Sequence, residues 1–543
     1  IPFLSRILQE NETIQSPIKA VIRKGKEHFV CDERLEQRIV AIKEKNKNAL
    51  QKEALLSLKE HYDMDEVSGL SGFDRRMVSV PKFCSRECSK KGSCRYQQYL
   101  EHSRDDEMFI QICNHNYLLA NASHRLEERP LLLRQYQAFV VDEAHKLPDA
   151  ARQMYTETLS AQDMDDLCSL LQQAHFKGLS KRLRTVFLTL SISCAPSFAM
   201  TKRKISIPFS LTPFRQAAIA DCINLLQYIG SQPDMPHYLQ YRLAETESLL
   251  RLFLLDVPTR ILYLEFSADG QLTFCAASNR VPQLLRSALW NTREPTILTS
   301  GTLTAAGDFD HTEQLLGLAA YAPLRHFRAE SPFNYRKKCL LYIPARRAAA
   351  VPENQYLADQ IVRLTAACHG HALVLFTSYR QMRNVYDALG GRLTFPVFQA
   401  GRGQNRSIQQ FKQSGNGVLF AAGSCWEGID FPGDMVSLLI IAKLPFPIPD
   451  PVSDYERRQY PNLRDYINAE VIPEMQKKLR QGFGRAIRTE QDSCVVAILD
   501  ERAGIGGKYH DAALAALPTC PTTEKIEDVQ QFIREQKRPD YFL

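Results

Sequence analysis

Ala138-Phe139-Val140-Val141 runs straight into Asp142-Glu143-Ala144-His145. The apolar run predicts a short buried strand, and open α/β sheets bind ligands just beyond the carboxyl ends of their strands. There Asp142 can hold Mg²⁺ through its water shell, while Glu143 orients and deprotonates a water attacking a γ-phosphate. His145 can then report between the phosphate site and a bound strand. The plainer alternative is an Asp-Glu pair that caps the turn after a strand. A second set lies in Glu474 to Arg488, whose composition predicts a helix with Gln481, Arg485 and Arg488 on one face. Guanidinium forks neutralise charge developing on a γ-phosphate, and the amide can position water. Gly482 and Gly484 each cost such a helix roughly 1 kcal/mol, which a close neighbour would justify. The alternative is a solvent-exposed basic helix. A third tract, Gly423 to Asp430, follows the run Val418–Phe420. Its small residues, Gly428 among them, let backbone approach phosphate, and Glu427 and Asp430 supply carboxylates for water or ribose. Alone, it reads equally as a tight loop.

Cys84, Cys88 and Cys94 form C-x3-C-x5-C, with Cys31 upstream. Four thiolates can hold a [4Fe–4S] cluster, and their softness also admits zinc. Spacing alone leaves those two nearly balanced, with free thiols in a loop as the third reading. Between Pro81 and Leu100, Lys82, Arg86, Lys90, Lys91 and Arg95 stand against Glu87 and alternate with Phe83, Tyr96 and Tyr99. Cations track phosphates and rings stack unpaired bases, so Lys90, Lys91 and Tyr96 are candidate DNA contacts; ordinary surfaces carry such mixtures too.

These residues need a large scaffold, and 543 residues suffice for three or four domains. A hydrophobic share of 44% argues against wholesale disorder. The net charge of +7 permits nucleic-acid binding without demonstrating it. No apolar run approaches the roughly 18–20 residues of a membrane span. Fourteen cysteines in a large chain without an export signal predict free thiols in a reducing cytoplasm. The opening Ile1-Pro2-Phe3-Leu4 resembles neither an initiator nor a signal peptide, and is expected to be a truncated start. Residues 1–20 read as a helix end and loop, and Arg23 to Lys59 as an exposed amphipathic helix. Residues 150–290 carry helical periodicity as an insertion, turning β-rich near Arg260–Ala277. Strand-like runs at Ile297-Leu298, Leu373–Phe376, Val418–Phe420, Leu438–Ile441 and Val495–Leu499 alternate with helical segments and predict parallel α/β sheets.

Together, Asp142 to His145, Thr299-Ser300-Gly301-Thr302-Leu303, the 423–430 tract and Gln481 to Arg488 resemble, in order, the later motifs of superfamily-two helicases. Ser331-Pro332-Phe333-Asn334-Tyr335, Leu373 to Tyr379, Lys443-Leu444-Pro445-Phe446-Pro447 and Leu499 to Arg502 look like the iron-sulfur helicases of the DinG and XPD type. The resemblance covers essentially the whole chain and is weakest across 150–290. It implies two RecA-like motor domains, the first interrupted by an iron-sulfur insertion and a helical Arch. The implied layout is a motor-one remnant at 1–20, an iron-sulfur domain at 21–105, motor one with its DEAH box at 106–150, and an Arch-like insertion at 151–280. Motor one returns at 281–325, and motor two occupies 326–543.

The resemblance further implies ATP, Mg²⁺ and 5′-to-3′ unwinding of single-stranded and forked DNA in repair, or of RNA–DNA hybrids at R-loops. It points to a monomer in the bacterial cytoplasm, associated with the nucleoid. Ser300 and Thr302 would couple hydrolysis to DNA, and Thr377 and Ser378 would sit near backbone phosphates. The order of Cys31, Cys84, Cys88 and Cys94 favours [4Fe–4S], leaving out Cys113, whose flanks match a strand-and-loop phrase. One departure is serious: the family's Gly-x-x-x-x-Gly-Lys-Thr loop, which cradles nucleotide phosphates, does not occur in these residues. The expectation is therefore a chain that hydrolyses almost no ATP alone. The alternatives are a DNA-binding subunit without motor activity, and a DinG-type exonuclease lacking its nuclease domain.

Overall fold

The computed structural model describes residues 6, 10 and 18–542, except 44–48, 82, 83, 85–87, 91, 106, 197–203, 256, 293, 306, 322, 348, 349, 402–404, 428 and 432. Most of the segment read as a helix end and loop at 1–20 thus lies outside the described residues, as do Lys91 and Gly428. Contacts divide the chain into two units. One comprises Ile1–Val141, Asp149–Met154 and Leu284–Ile297, the other Asp142–Pro148, Tyr155–Gln283 and Leu298–Leu543.

In the first unit, β1 (Ala20–Arg23) runs parallel to β2 (Ile110–Cys113), with Ala20 opposite Ile110. β3 (Phe139–Val141) pairs with β8 (Thr296–Leu298). The stretch 23–59 is not one exposed helix. It contains two, Asp32–Lys43 and Ala49–Ser57, whose Leu35, Ile39 and Leu55 are buried with Val30, Leu58, Met64 and Val78. Helical spacing of apolar residues was correctly legible there, but their number was enough to build a small core instead of a solvated face. The helix Gly72–Val78 starts where Ser71 Oγ accepts the Asp74 amide at 3.0 Å, satisfying one of the donors that a helix start leaves unpaired.

The second unit contains a helical block on an antiparallel sheet and a larger parallel sheet. The antiparallel sheet has the order β4-β7-β6-β5, from Glu157–Ser160, Leu272–Ser278, Arg260–Phe266 and Ile205–Pro208. Helices Ala161–Gln173, Lys177–Cys194, Pro213–Gly230 and His237–Leu252 bury Leu167, Leu183, Ile223 and Leu243 against it. This is the block that reads as an insertion, with the turn to β structure near Arg260 where the sequence has it. The sheet's Ile261 and Ala277 also pack on Val452 of the helix Pro451–Arg457.

The parallel sheet has seven strands in the order β11-β12-β10-β13-β14-β9-β15. They are Val397–Gln399, Val418–Ala422, Ala372–Phe376, Leu438–Ile441, Cys494–Ile498, Cys339–Tyr342 and Thr522–Thr523. Every residue of β10, β12, β13 and β14 is buried. Helices cover both faces, so these strands read as unbroken apolar runs without alternation. The fold class is α/β with parallel sheets, as expected, and the carboxyl ends of β10 and β12 deliver Thr377 and Gly423.

Candidate functional site

The acidic turn after β3 folds back on the Thr299–Thr302 loop of the same unit. Asp142 Oδ1 accepts from Thr299 Oγ1 at 2.9 Å and from the Glu143 amide at 2.9 Å. Glu143 sits at φ 49°, ψ 43°, a left-handed conformation that strains any residue with a Cβ. That conformation lets the chain reverse within one residue, presenting the carboxylate beside Ser300, which donates to its Oε2 at 3.2 Å. His145 Nδ1 lies 2.7 Å from Ser300 Oγ and 3.2 Å from Glu143 Oε2, and its Nε2 lies 2.6 Å from Gln481 Nε2. An amide NH₂ only donates, so His145 Nε2 accepts and Nδ1 carries the proton. Burial pushes the imidazole below its ordinary 6.5 despite the Glu143 and Glu427 carboxylates, which keeps that neutral tautomer in place. Ser300 Oγ also lies 3.3 Å from Thr302 Oγ1, to which Gln481 donates at 3.4 Å.

Gln481 is on the helix Ile472–Phe483, which stops five residues before Arg488. Sequence reading extended that helix through Arg488; the turn comes earlier because Gly484 closes it, its amide bonded to the Arg480 carbonyl at 2.9 Å. Two glycines inside four residues remove the propensity that would carry the helix on. Arg485 and Arg488 nevertheless reach the same cleft from the turn. Arg485 donates to the carbonyls of Trp426 and Ile429, and Arg488 Nε pairs with Asp430 Oδ1 at 3.2 Å. Burial draws Arg485 below the ordinary guanidinium value, with the Arg488 charge adding to the effect. Gly482 answers the question of its own presence: a Cβ there would stand 2.8 Å from Trp426 Cζ3. Glu427 holds Lys146 at 2.5 Å. A cleft of about 750 Å³ is lined by Glu143, His145, Thr302, Gln481, Arg485 and Arg488.

Three groups at this cleft escaped sequence reasoning. Lys146 follows the acidic quartet directly, Arg480 precedes Gln481 and ties Thr304 Oγ1 at 3.0 Å to the Ala516 carbonyl at 3.0 Å, and Arg328 also lines the cleft. The signal for the first two was adjacency to a motif; Arg328 had none. Thr377 and Ser378 stand at the end of β10, away from these contacts. Ser378 Oγ caps the helix Tyr379–Leu389 by accepting the Gln381 amide at 3.1 Å, and Thr377 Oγ1 lies 3.5 Å from Gln381 Oε1.

Known proteins resemble this chain over much of its length. Residues 361–519 match the family model described as a helicase C-terminal domain. The chain is 26% identical over 550 residues to the ATP-dependent DNA helicase YoaA of Escherichia coli, covering 94% of this chain and 83% of that one. It is 32% identical over 266 residues to the ATP-dependent helicase DinG of Mycobacterium tuberculosis, covering 48% and 40%. The chain is thus similar, over most of its length, to ATP-dependent helicases of the YoaA and DinG kind. An XPD helicase structure matches 96% of this chain and 90% of its own with a TM-score of 0.52 at 17% identity, a likeness of fold.

The relatives YoaA and DinG are named as ATP-dependent. The exposed Asp142 and Glu143 suit a hard cation that takes one or two carboxylates and completes its shell with water and phosphate. In the first unit of this DinG-like chain, Cys31 and Cys94 immediately precede the helices Asp32–Lys43 and Arg95–His102. Arg95 Nε donates to Asp32 Oδ1 at 2.7 Å and clamps the two helix starts together. Cys88 donates to Glu33 Oε2 at 3.3 Å, Cys84 is exposed, and all four thiols are free. Burial pushes the Cys31 thiol up, with neighbouring Cys84 adding to the rise. Four unbridged thiols, two of them at helix N-termini, have the donor chemistry of a thiolate-held group. Among the described residues, however, no three His, Cys, Asp or Glu side chains converge as a metal cage. Lys90 pairs with Glu36 at 2.8 Å, and Tyr96 packs on Phe29 with ring centres 5.3 Å apart. Burial pushes the Tyr96 phenol to about 12.

Proposed function

We infer that this chain carries the hydrolytic and coupling machinery of an ATP-driven DNA helicase. The observation that carries the reading is the chain of hydrogen bonds Glu143–Ser300–His145–Gln481, which opens onto a cleft shared with Arg485 and Arg488. In the proposed reaction Glu143 accepts a proton from the water attacking the γ-phosphate, and Arg485 and Arg488 neutralise charge developing on the equatorial oxygens. Both guanidiniums would exchange their present carbonyl and Asp430 partners for phosphate. Asp142 would hold Mg²⁺, which would supply charge neutralisation to the phosphates when bound. Gln481, joined to His145 and Thr302, senses whether Glu143 is engaged, and so links hydrolysis to the Thr299–Thr302 loop. Glu427, Gly428 and Asp430 would meet the remaining polar groups of the nucleotide.

The finer reading has 5′-to-3′ unwinding in DNA repair or in replication-fork and R-loop processing, by a cytoplasmic, nucleoid-associated monomer that binds single-stranded and forked DNA and RNA–DNA hybrids. Two motor domains with iron-sulfur and Arch insertions would divide the chain as the resemblance implies. Cys31, Cys84, Cys88 and Cys94 would hold [4Fe–4S]. Ser300, Thr302, Thr377 and Ser378 would face DNA, with Lys90, Lys91 and Tyr96 near the strand junction. Among the described residues no helix is long and apolar enough to cross a membrane. Because no Gly-x-x-x-x-Gly-Lys-Ser/Thr tract occurs, these 543 residues by themselves would bind ATP weakly and hydrolyse almost none. In a polypeptide that also carries such a loop, Glu143→Gln should abolish DNA-stimulated ATP hydrolysis by 10²-fold or more, roughly the worth of a general base, while DNA affinity stays within about twofold. Hydrolysis that survives this change would remove Glu143 from the reaction and the reading with it.

A further inference from the structure

Three cysteines that the helicase reading leaves unused stand level with one another, two on neighbouring strands and one on the segment leading into a third. The parallel register sets Cys339 of β9 opposite Cys494 of β14. On the other side of β9 it sets Leu341 opposite Thr522, with the Leu341 amide bonded to the Pro521 carbonyl at 2.8 Å. Parallel strands advance together, so two residues earlier Cys520 comes level with Cys339. Side chains two apart share a face, and all three cysteines border the same apolar core. Adjacent strands lie roughly 4.8 Å apart, within the roughly 4.4–6.8 Å of Cα separation that a disulfide spans.

The two neighbours of Cys339 differ in chemistry. Cys494 is fully buried, its thiol pushed up to about 12, and it donates to the Val495 carbonyl at 3.4 Å. Cys520 lies just before a two-residue edge strand and is only partly buried. The Cys339 thiol donates to the Cys520 sulfur, which lowers Cys520 and raises Cys339. The accessible member of the pair is therefore also the readier thiolate, and its resolving partner is already in contact.

We propose that Cys520 and Cys339 are a redox-modification site that closes to a reversible disulfide when the protein meets hydrogen peroxide. The Cys520 thiolate attacks the peroxide oxygen; an S–O bond forms, the O–O bond breaks, and hydroxide leaves to take up a proton as water. Cys339 then attacks the sulfenic sulfur, forming S–S and breaking S–O, and its thiol proton leaves with the departing oxygen as a second water. Two thiols are oxidised by two electrons and one hydrogen peroxide is reduced. The bond ties β9 to the segment that accepts Gln476 at Ala512 and Arg480 at Ala516, and whose Leu517 and Pro518 line the cleft. Oxidation thus stitches down the wall behind the helix that carries Gln481.

The test is peptide mapping of the whole chain after near-stoichiometric hydrogen peroxide, with remaining thiols alkylated under denaturing conditions and digestion without reduction. The expected product is a peptide cross-linked through Cys339 and Cys520 that disappears on dithiothreitol treatment. Its formation should also raise the melting temperature reversibly. Cys520→Ser, at a partly buried site, should fold, lose the cross-link and leave Cys339 alkylatable; Cys339→Ala should leave Cys520 to over-oxidise. The proposal is overturned by a Cys339–Cys494 link in the wild type, or by Cys520 reaching sulfinic acid while Cys339 stays alkylatable. Full alkylation of both at a dose that oxidises the exposed Cys84 overturns it as well. None of these readouts depends on helicase activity.

Discussion

Replacing Gly482 with Ala should weaken the protein although it improves the helix. On propensity alone the added methyl is worth about 1 kcal/mol in favour of the helix Ile472–Phe483. Its Cβ, however, would stand 2.8 Å from Trp426 Cζ3, 2.9 Å from Cε3 and 3.4 Å from Leu375 Cδ1. Restoring ordinary carbon contact of about 3.6 Å requires the ring to retreat by roughly 0.8 Å. Trp426 is 1% exposed and its Nε1 donates to the Phe376 carbonyl at 2.9 Å, so the ring has no free space and an anchor to lose. Overpacking of this kind costs about 1–3 kcal/mol, which leaves a net loss of up to about 2 kcal/mol after the propensity gain. Function should suffer more than stability, because the Trp426 carbonyl receives Arg485 Nε at 3.3 Å. Misplacing that guanidinium removes charge stabilisation needed only in the transition state, so kcat should fall by about 10-fold or more with little change in KM. Urea unfolding and steady-state ATP hydrolysis, measured on a polypeptide that carries the phosphate loop, read the two effects separately. A variant stabilised by about 1 kcal/mol with unchanged kcat would refute the reasoning.

Two further expectations follow from the site and the thiols. His145 is held below its ordinary 6.5 by burial, so the unfolded chain binds its proton first as pH falls; stability contributed by the neutral form is present above 6.5 and declines as pH drops through the lower folded value. Protonated Nε2 can no longer accept from Gln481, so the ATPase rate should share that acid limb, and a limb centred above 6.5 would contradict the assigned tautomer. Protein prepared without oxygen should be brown and carry about four iron atoms per chain with matching sulfide, and chelation should unfold the first unit; colourless protein containing zinc would defeat the cluster assignment.

The sequence disclosed the members of the candidate site better than the geometry that assembles them. Asp142, Glu143, His145 and Gln481 were legible because apolar runs mark strand ends and because these residue types suit phosphate chemistry. The sheet was legible for the same reason: β10, β12, β13 and β14 are covered on both faces, so nothing polar interrupts them. What remained hidden depends on contacts between distant segments. Local composition favoured a helix through Arg488; only the packing of Trp426 against Gly482 explains why a glycine is required there, and the turn at Gly484 leaves the arginines past the helix end. Leu499 to Arg502 looked like a family phrase without a role. In the fold, Asp500 is buried, accepts the Leu444 amide at 2.9 Å and pairs with Arg502, and these contacts hold its carboxyl below the ordinary carboxylate range. It fixes the Lys443-Leu444 turn after β13.

The left-handed Glu143 sharpens the same point. A strained backbone at a carboxylate persists only when its surroundings over-determine it, and here they do: Asp142 is held by Thr299, Ala144 donates to the Thr299 carbonyl at 3.0 Å, and Glu143 itself is met by Ser300. Three successive residues of the acidic turn thus take their conformation from two residues of a loop more than 150 positions away in sequence. Any movement of the Thr299–Thr302 loop must therefore alter the aim of Glu143. That same loop contacts Gln481 through Thr302, so one hydrogen-bonded connection joins Glu143, the imidazole and the helix that precedes the arginines. Coupling in this chain needs no long pathway: the element that would sense DNA and the element that would activate water are hydrogen-bonded to each other directly.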